Sequence, residues 1–381
     1  FKKIFILCLM ITSLFGSVRE LTDENFKKAT NRGLVAVEFW AGWNEVNKVT
    51  AIDEWDTFDA KVYRVNIDNF PKIQADNNVV ILPTIIFFDD GEEVVCLDNF
   101  YCTSKEKIKT LIDSANFELI EHDVVESYDI SSDFVINLAC PASPINYQKD
   151  PIKTFKTNIL GSLNAVELAQ KQNIPVLQAS TSEIYGDPEV HPQREIYWGN
   201  VNPIGLRSCY DEGKRAAETL FYDYHRKDKL KIKIARLFNT YGPKMEINDG
   251  RAVSNFIVKS LKNEPLTIYG DGDNTRSFCY VSDTVDALIK FLKTNDDIIG
   301  PINIGNPTEM TINEIAEEII KITNSTSEII YSEPLLDDPK IRKPDINLAN
   351  KILNWEPKVG LEQGLSETIK YFSIILNEKE N

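Results

Sequence analysis

Apolar and polar positions fall in short blocks along the chain, and these blocks predict alternating strands and helices. In the first third, compact apolar runs predict two strands, and a longer run interrupted by Asp90-Gly91 predicts a β-hairpin closed at that dipeptide. An amphipathic helix is expected to follow. These segments are LVAVEFWA (34–41), KVYRVNID (61–68), PTIIFFDDGEEVVCL (83–97) and KEKIKTLIDSA (105–115).

The pattern changes from Phe117 onward, where apolar runs alternate with segments of helical spacing. Such βα alternation predicts a doubly wound parallel sheet. After Gly242 the elements are mixed, which predicts a smaller second lobe that includes residues 266–283 and a helix from Ile312 to about Ile322. The predicted strands are 117–124, 133–140, 174–181 and 231–239, and further helices are expected at 155–172 and around Tyr210.

Composition narrows the class of protein and of partner. The chain has 381 residues, 43% apolar and 26% charged, which is typical of a globular protein. Its net charge of -16 argues against nucleic acid or an anionic membrane as a partner. The six cysteines form no C-x-x-C, so no metal site is predicted. Cys96 and Cys102 form a disulfide in an oxidising compartment or stay buried thiols.

The first residues, FKKIFILCLMITSLFGS (1–17), place two lysines before an apolar run from Ile4 to Phe15, followed by small residues. This order predicts a signal peptide, with an uncleaved membrane anchor as the alternative. Either form favours the secretory pathway, the periplasm or a Golgi-type membrane.

Three motifs carry a resemblance to thioredoxin over about residues 18–114: LTDENF (21–26), FWAGW (39–43) and ILPT (81–84). Where that family has Cys-x-x-Cys, this chain has Asn44-Glu45-Val46-Asn47. Amides form neither a disulfide nor a thiolate, so thiol redox activity is not expected there. A binding or scaffold role remains, or none.

Tyr210 and Lys214 stand four residues apart in a helical stretch, so both side chains can face one ligand. A tyrosine with a pKa near 10 becomes a usable base when a neighbouring cation stabilises its phenolate. A solvated helix face is the alternative. Thr181, Ser182 and Glu183 follow a predicted strand, and ligands bind at strand ends in such sheets. Together these residues favour a site like that of short-chain dehydrogenases.

From Phe117 to near the C-terminus the chain resembles the UDP-glucuronate decarboxylases, also called UDP-xylose synthases, of the extended short-chain dehydrogenase/reductase family. The predicted fold class is therefore α/β, with a thioredoxin-like domain before an incomplete NAD-binding Rossmann sheet and a small substrate lobe at 115–381. The resemblance rests on residues 139–158, 180–193, 202–218, 235–245, 249–257, 269–283 and 342–345.

The resemblance implies NAD-dependent decarboxylation of UDP-glucuronate to UDP-xylose without a metal, by a homodimer in the cytoplasm or Golgi lumen. Tyr210 would take the proton of the sugar 4-hydroxyl while Thr181 or Ser182 bonds the same oxygen. Glu183 would lie near the departing carboxylate, where like-charge repulsion would raise the pKa of Glu183 or favour expulsion of the carboxylate. Arg276 would orient that carboxylate or help to reprotonate the enolate.

The resemblance also implies two sets of contacts. The cofactor NAD is expected to contact Asp123, Val124, Leu138, Ala139, Asn158, Tyr210 and Lys214. The UDP-sugar is expected to contact Tyr147, Lys156, Asn239, Arg251, Tyr269 and Arg342.

The Gly-rich turn that holds the NAD pyrophosphate has no counterpart before Phe117, where the glycines (Gly16, Gly33, Gly42 and Gly91) lack the required spacing. The first two strands of the family sheet are expected to be missing, leaving 133–140 as an exposed edge. Three hypotheses stay open: a decarboxylase whose cofactor site something else completes, a redox-inactive binding protein with an enzyme-like tail, and a gene join near residues 114–117.

Overall fold

The computed structural model describes residues 94–112 and 117–380, together with the backbone of five short strands between residues 5 and 88. The chain divides into two compact units, Phe1–His122 and Asp123–Asn381. Residues 41–60, which include the Asn44-Glu45-Val46-Asn47 segment, lie outside the described residues.

The five strands before residue 90 form a mixed sheet in the order β1-β5-β3-β4-β2. The two strands predicted from compact apolar runs are confirmed, and they pair in parallel as β3 and β4. Part of the apolar run predicted as a signal peptide forms β1, which pairs antiparallel with β5. The strands are β1 (Phe5–Leu7), β2 (Arg19–Glu20), β3 (Val35–Trp40), β4 (Lys61–Asn66) and β5 (Thr84–Phe88).

The hairpin predicted at 83–97 is wrong. Its second arm is β6 (Val94–Asp98), which pairs in parallel with β7 (Phe117–Glu121) instead of antiparallel with β5. Parallel strands need a crossover of a dozen or more residues, and the intervening segment supplies it. The described part of that crossover contains a 3₁₀ turn (Lys105–Ile108) and the short helix α1 (Lys109–Ile112), inside the predicted amphipathic helix.

The second unit contains the remaining elements. Its strands are β8 (Val135–Asn137), β9 (Val176–Thr181), β10 (Ile232–Leu237), β11 (Thr240–Tyr241), β12 (Leu266–Tyr269), β13 (Thr275–Ser277), β14 (Cys279–Tyr280), β15 (Ile302–Ile304), β16 (Glu309–Thr311) and β17 (Ile329–Ser332). Its α-helices are α2 (Pro144–Lys149), α3 (Pro151–Lys156), α4 (Ser162–Gln172), α5 (Ser208–Asp228), α6 (Ala252–Leu261), α7 (Val281–Leu292), α8 (Ile312–Thr323), α9 (Asn347–Leu353) and α10 (Leu361–Glu380). A π-helical turn (Thr157–Gly161) joins α3 to α4.

The predicted parallel sheet is confirmed in the order β15-β10-β9-β8, with all three pairings parallel. Successive residues of β9 enter different cores, as expected for side chains that alternate between faces. Val176 packs in one cluster with Phe221 of α5, whereas Leu177 packs in another with Phe291 of α7 and Trp355. Helices therefore cover both faces, and this explains the continuous apolar runs of the strands.

The smaller lobe packs α6, α8 and α10 around an apolar cluster that includes Phe256, Ile315 and Phe372. Its short strand pairs are β11 with β14, β12 with β17 and β13 with β16. Thr311 begins α8 with a capping box, because its side chain accepts from Glu314 N and the Glu314 side chain accepts from Thr311 N. Among the helices described, none combines the length and apolar character needed to cross a bilayer.

Candidate active site

The carboxyl end of β9 carries the predicted Thr181-Ser182-Glu183 segment. β9 is buried along its whole length, and it passes at Thr181 into a 3₁₀ turn that spans Ser182–Tyr185. The Thr181 side chain begins this turn by accepting a hydrogen bond from Glu183 N at 3.2 Å. The chain thereby presents a hydroxyl, a second hydroxyl and a carboxylate in succession at the sheet edge where ligands bind.

Tyr210 and Lys214 lie on the first turns of α5, as predicted, and both are buried. The Thr181 hydroxyl lies close enough to the Tyr210 hydroxyl to act on its pKa as a hydrogen-bonding group. Lys214 Nζ lies 5.9 Å from the Tyr210 ring centroid and donates to Ala179 O at 2.8 Å. The helix therefore brings the predicted base and its cation to the end of β9.

Burial controls the charge state of this pair. Burial raises the pKa of Tyr210, with the nearby Cys140 adding to the rise and the Thr181 hydrogen bond opposing it. Burial also lowers the pKa of Lys214, because a desolvated ammonium is less stable. Burial therefore favours the neutral phenol of Tyr210, and a phenolate that can act as a base needs positive charge beside it.

Tyr147 of α2 stacks on Tyr210, with ring centroids 5.2 Å apart and an angle of 5° between the rings. Its side chain is 1% exposed, and its hydroxyl has no hydrogen-bond partner within the described part of the chain. This predicted UDP-sugar contact therefore lies beside the catalytic pair.

Glu183 is held by two arginines from distant parts of the chain. Arg342 donates from Nη1 to Oε1 at 2.7 Å and from Nη2 to Oε2 at 2.9 Å, and Arg207 Nη2 donates to Oε2 as well. Burial by itself would raise the pKa of Glu183, but the charges and hydrogen bonds of Arg342 and Arg207 lower it to about 2. Two guanidinium groups thus outweigh desolvation, and the effect of a substrate carboxylate on Glu183 stays a prediction.

Arg276, predicted to orient the carboxylate, is buried and bound elsewhere. Its Nη2 pairs with Asp338 at 2.8 Å, and its Nη1 donates to Thr275 O at 2.8 Å. Asp338 also accepts from Arg207 Nη1 at 3.1 Å. Asp338 thus links Arg276 to the Glu183 cluster, and the role of Arg276 toward the substrate carboxylate stays a prediction.

Three residues of this cluster were missed by sequence reasoning: Arg207, Asp211 and Asp338. Arg207 and Asp211 flank Tyr210 within one helical turn, so their spacing was a signal that could have placed them on the same helix end. Asp338 had no such signal, since it lies in an irregular segment far along the chain.

The other predicted UDP-sugar contacts have separate surroundings. Lys156 is exposed at the end of α3, and Tyr269 is 46% exposed at the end of β12. Asn239 O accepts from Cys279 N, and Arg251 precedes α6 and pairs with Asp249. No described hydrogen bond joins these four side chains to Glu183 or Tyr210, so their role in binding stays a prediction.

Among the predicted cofactor contacts, Asn158 is buried and Leu138 is exposed. Asn158 is buried against α5, where a Cβ at Gly213 would come within 2.7 Å of its Nδ2. Only glycine fits there without displacing the amide. Leu138 is 55% exposed beyond the end of β8, next to Ala139, whose N donates to Asn137 Oδ1 at 3.2 Å.

The remaining predicted cofactor contacts, Asp123 and Val124, follow β7 in sequence. Asp123 pairs with Lys153 at 2.7 Å, and Val124 O accepts from Asn164 Nδ2 at 2.8 Å. Among the described residues there is no cluster of three or more side chains suited to a metal ion.

Comparison with protein families matches two models to this chain. The NAD dependent epimerase/dehydratase family model matches residues 87–305, and the thioredoxin model matches residues 17–114. The first match begins before β6, so it covers β6, β7 and the whole Thr181 to Lys214 region. The thioredoxin domain predicted from three motifs is confirmed.

Named relatives and solved structures agree with the first match. The chain is 54% identical over 293 residues to UDP-glucuronic acid decarboxylase 3 of Arabidopsis thaliana, an alignment of 77% of this chain and 85% of the relative. It is 51% identical over 292 residues to UDP-glucuronic acid decarboxylase 1 of Danio rerio, covering 77% of this chain and 69% of the relative.

Among solved structures, UDP-glucuronic acid 4-epimerase from Bacillus cereus, in complex with UDP-glucuronic acid and NAD, superposes with a TM-score of 0.67 at 28% identity, covering 74% of this chain and 91% of the epimerase. The UDP-glucose 4-epimerase of Thermotoga maritima gives a TM-score of 0.68 at 28% identity, covering 74% and 92%. The fold, the cluster at the end of β9 and the sequence identity lead to one conclusion: the chain belongs to the UDP-glucuronic acid decarboxylases of the NAD dependent epimerase/dehydratase family, here with a thioredoxin domain at the N-terminus.

Proposed function

We propose that this chain binds UDP-glucuronate and converts it to UDP-xylose by NAD-dependent decarboxylation. The observation that carries the proposal is that two sets of side chains lie at the end of β9. One set is Tyr210 with Lys214, and the other is Glu183 with Arg342 and Arg207. The first group suits proton removal from an alcohol, and the second suits an anionic sugar. The names of the two relatives given above support the same reaction.

The residues on α5 fit the nicotinamide end of NAD. Lys214 uses one hydrogen bond on Ala179 O, and Asn158 Oδ1 is buried with no partner among the described residues. Asn158, Tyr210 and Lys214 would hold the cofactor, which would supply a hydride acceptor that later returns the hydride to the sugar.

β6 lies inside the match to the epimerase/dehydratase family and pairs in parallel with β7. The Asp90-Gly91 turn signal had instead predicted β6 as the second arm of a hairpin. The Gly-rich turn that would hold the NAD pyrophosphate has no counterpart in the sequence before β6.

The proton step belongs to Tyr210. In its phenolate form, which the charge of Lys214 stabilises, its oxygen would accept the proton of the sugar 4-hydroxyl, with Thr181 bonded to the same oxygen. The ketone formed at that carbon makes the sugar a β-keto acid. Its carboxylate can then leave as carbon dioxide, because the electrons of the breaking bond pass into the ketone as an enolate.

The residue that orients the sugar carboxylate stays a prediction. Both candidate arginines already use their Nη donors, Arg276 on Asp338 and Thr275 O and Arg342 on both oxygens of Glu183.

The experiment that tests the proposal is calorimetric titration of the full chain with NAD⁺ and UDP-glucuronate, followed by measurement of carbon dioxide release. Binding of both ligands with turnover supports the proposed reaction. Binding of UDP-glucuronate without NAD⁺ would support a second candidate function, a nucleotide-sugar binding protein, which the missing Gly-rich turn favours. The homodimer and the cellular location stay predictions.

A further inference from the structure

Three buried polar atoms next to Glu183 have no hydrogen-bond partner among the described residues: Tyr147 Oη, Arg207 Nε and Asp211 Oδ1. Their residues are 1%, 8% and 7% exposed. Buried polar atoms in folded proteins are nearly always paired with protein, water or ligand. Three such atoms in one neighbourhood indicate a polar group that binds there.

The three residues lie close together. Asp211 N donates to Arg207 O at 3.0 Å, so Arg207 and Asp211 share one helical turn. Tyr147 stacks on Tyr210, which directly precedes Asp211. The charges of Arg207 and Asp211 both act on the Tyr147 hydroxyl.

The arginines around Asp211 are already paired with other carboxylates. Both Nη atoms of Arg342 bond Glu183, and Arg207 divides its Nη atoms between Glu183 and Asp338. Asp211 is therefore a third carboxyl group beside cations that two carboxylates have largely neutralised. The charged and titratable groups that act on it are Tyr147, Glu183, Arg207, Cys209, Tyr210, Glu212 and Arg342.

This arrangement favours the protonated form of Asp211. Burial, followed by the negative charge of Glu183, raises its pKa to about 8, while Arg207 and Arg342 oppose the rise. A protonated Asp211 carries an O–H, so it is a donor, as are the Tyr147 O–H and the Arg207 Nε–H. Three donors on neighbouring residues match a group that only accepts hydrogen bonds, such as a carboxylate.

We propose that Asp211 is protonated at neutral pH and donates a hydrogen bond to the carboxylate of a uronate sugar. Tyr147 Oη and Arg207 Nε donate to the same carboxylate. Asp211 is thereby a specificity-determining residue that selects a uronate nucleotide over a neutral one. The inference rests on the proposed function, since it assumes that the sugar binds beside Tyr210.

The proposal makes affinity depend on pH in one direction. Above the pKa of Asp211, its carboxylate would repel the sugar carboxylate and offer no proton. With a pKa near 8, the protonated fraction falls by about tenfold between pH 7 and pH 9, and the affinity for UDP-glucuronate falls with it. UDP-xylose lacks the carboxylate, so its affinity is expected to stay constant over the same range.

The test is calorimetric titration of the full chain with UDP-glucuronate and with UDP-xylose at pH 7 and pH 9. The Asp211→Asn variant carries an amide that does not titrate, so it is expected to lose the tenfold decrease in UDP-glucuronate affinity between pH 7 and pH 9. Asp223→Asn is the matched control, because Asp223 lies on the same helix with its side chain 64% exposed. This control should behave as the unaltered chain does.

Other outcomes overturn the proposal. A UDP-glucuronate affinity that is equal at both pH values, or that decreases equally in Asp211→Asn, would show that Asp211 does not donate to the sugar. Equal decreases for both nucleotide sugars would remove its role in selection. Failure of both sugars to bind at either pH would overturn the proposed function itself, and the inference with it. If Asp211→Asn does not fold, the pH dependence of the affinities for UDP-glucuronate and UDP-xylose on the unaltered chain still tests the proposal.

Discussion

Arg342 and Glu183 are 159 residues apart in the chain, yet they form a two-bond ion pair with distances of 2.7 and 2.9 Å. Both side chains are largely buried, at 6% and 13% exposure. The pair ties the segment that follows the smaller lobe to the end of β9. A buried carboxylate at this position depends on that fork, because its desolvation must be offset by strong, well-oriented hydrogen bonds.

The Arg342→Lys variant should lose stability. A lysine ammonium cannot donate two parallel hydrogen bonds, so Glu183 would be left partly unpaired in a buried place. We expect the free energy of unfolding in urea, followed by circular dichroism, to fall by about 2 to 3 kcal/mol. Arg226→Lys is the control, because its pair with Asp223 is exposed and should change stability by less than about 0.5 kcal/mol. Equal effects of the two variants would contradict a special role for the Glu183 fork.

The Glu183→Gln variant should lose less folding stability than the unaltered chain when the pH is lowered. The folded state holds the pKa of Glu183 at about 2, below its ordinary value, so its ionised form stabilises the fold above pH 4.5. This contribution, about 3 kcal/mol, disappears as the pH falls from 4.5 to 2. The variant has no such contribution to lose. Thermal melting temperatures measured at both ends of that range provide the check, and parallel curves for the two proteins would argue against the ion pair.

Asp211→Asn should gain stability relative to the unaltered chain as the pH rises, which is the opposite of the effect expected at Glu183. The pKa of Asp211 is raised to about 8, so the folded state keeps a proton that the unfolded state releases above pH 4. Stability of the unaltered chain therefore declines as the pH rises from 4 to 8. The variant should be more stable at pH 8 by roughly 1 to 4 kcal/mol and about equal at pH 4. A variant that is less stable at pH 8 would indicate an ionised Asp211.

Tyr210→Phe should abolish decarboxylation and leave nucleotide-sugar binding intact. The hydroxyl is the proposed proton acceptor, and loss of such a group lowers rates by about 10² to 10⁴. Carbon dioxide release gives the rate and calorimetry gives the affinity. Tyr224→Phe removes a hydroxyl elsewhere on α5 and is the matched control. Retained turnover in Tyr210→Phe would exclude Tyr210 as the base.

The Ile136→Lys variant should aggregate less. β8 pairs only with β9 among the described strands, and the Ile136 side chain is 49% exposed at this sheet edge. Open edges with apolar side chains recruit other chains, and lysine discourages this. Light scattering at matched concentrations is the measurement. The control Ile152→Lys removes an apolar side chain that is 70% exposed on α3, away from any edge. A similar decrease in light scattering in both variants would indicate that the added charge, and not its place at the sheet edge, reduces aggregation.

The sequence alone identified the parts of the site that depend on local spacing. Tyr210 and Lys214 share a helix face because four residues make about one turn, and Thr181 reaches Tyr210 because β9 ends there. Apolar runs likewise predicted β9 and β10, since strands covered by helices on both faces have few polar positions. These features follow from the order of neighbouring residues.

Only the tertiary structure decided which distant groups meet. It paired Glu183 with Arg342 and Arg276 with Asp338, and the sequence predicted neither pair. It also paired β6 with β7, although the Asp90-Gly91 turn signal had indicated a hairpin. Charge pairing and strand pairing are settled by the free energy of burying groups that the fold brings together. Patterns among neighbouring residues do not predict these pairings, because a crossover or a whole lobe separates the partners in the sequence.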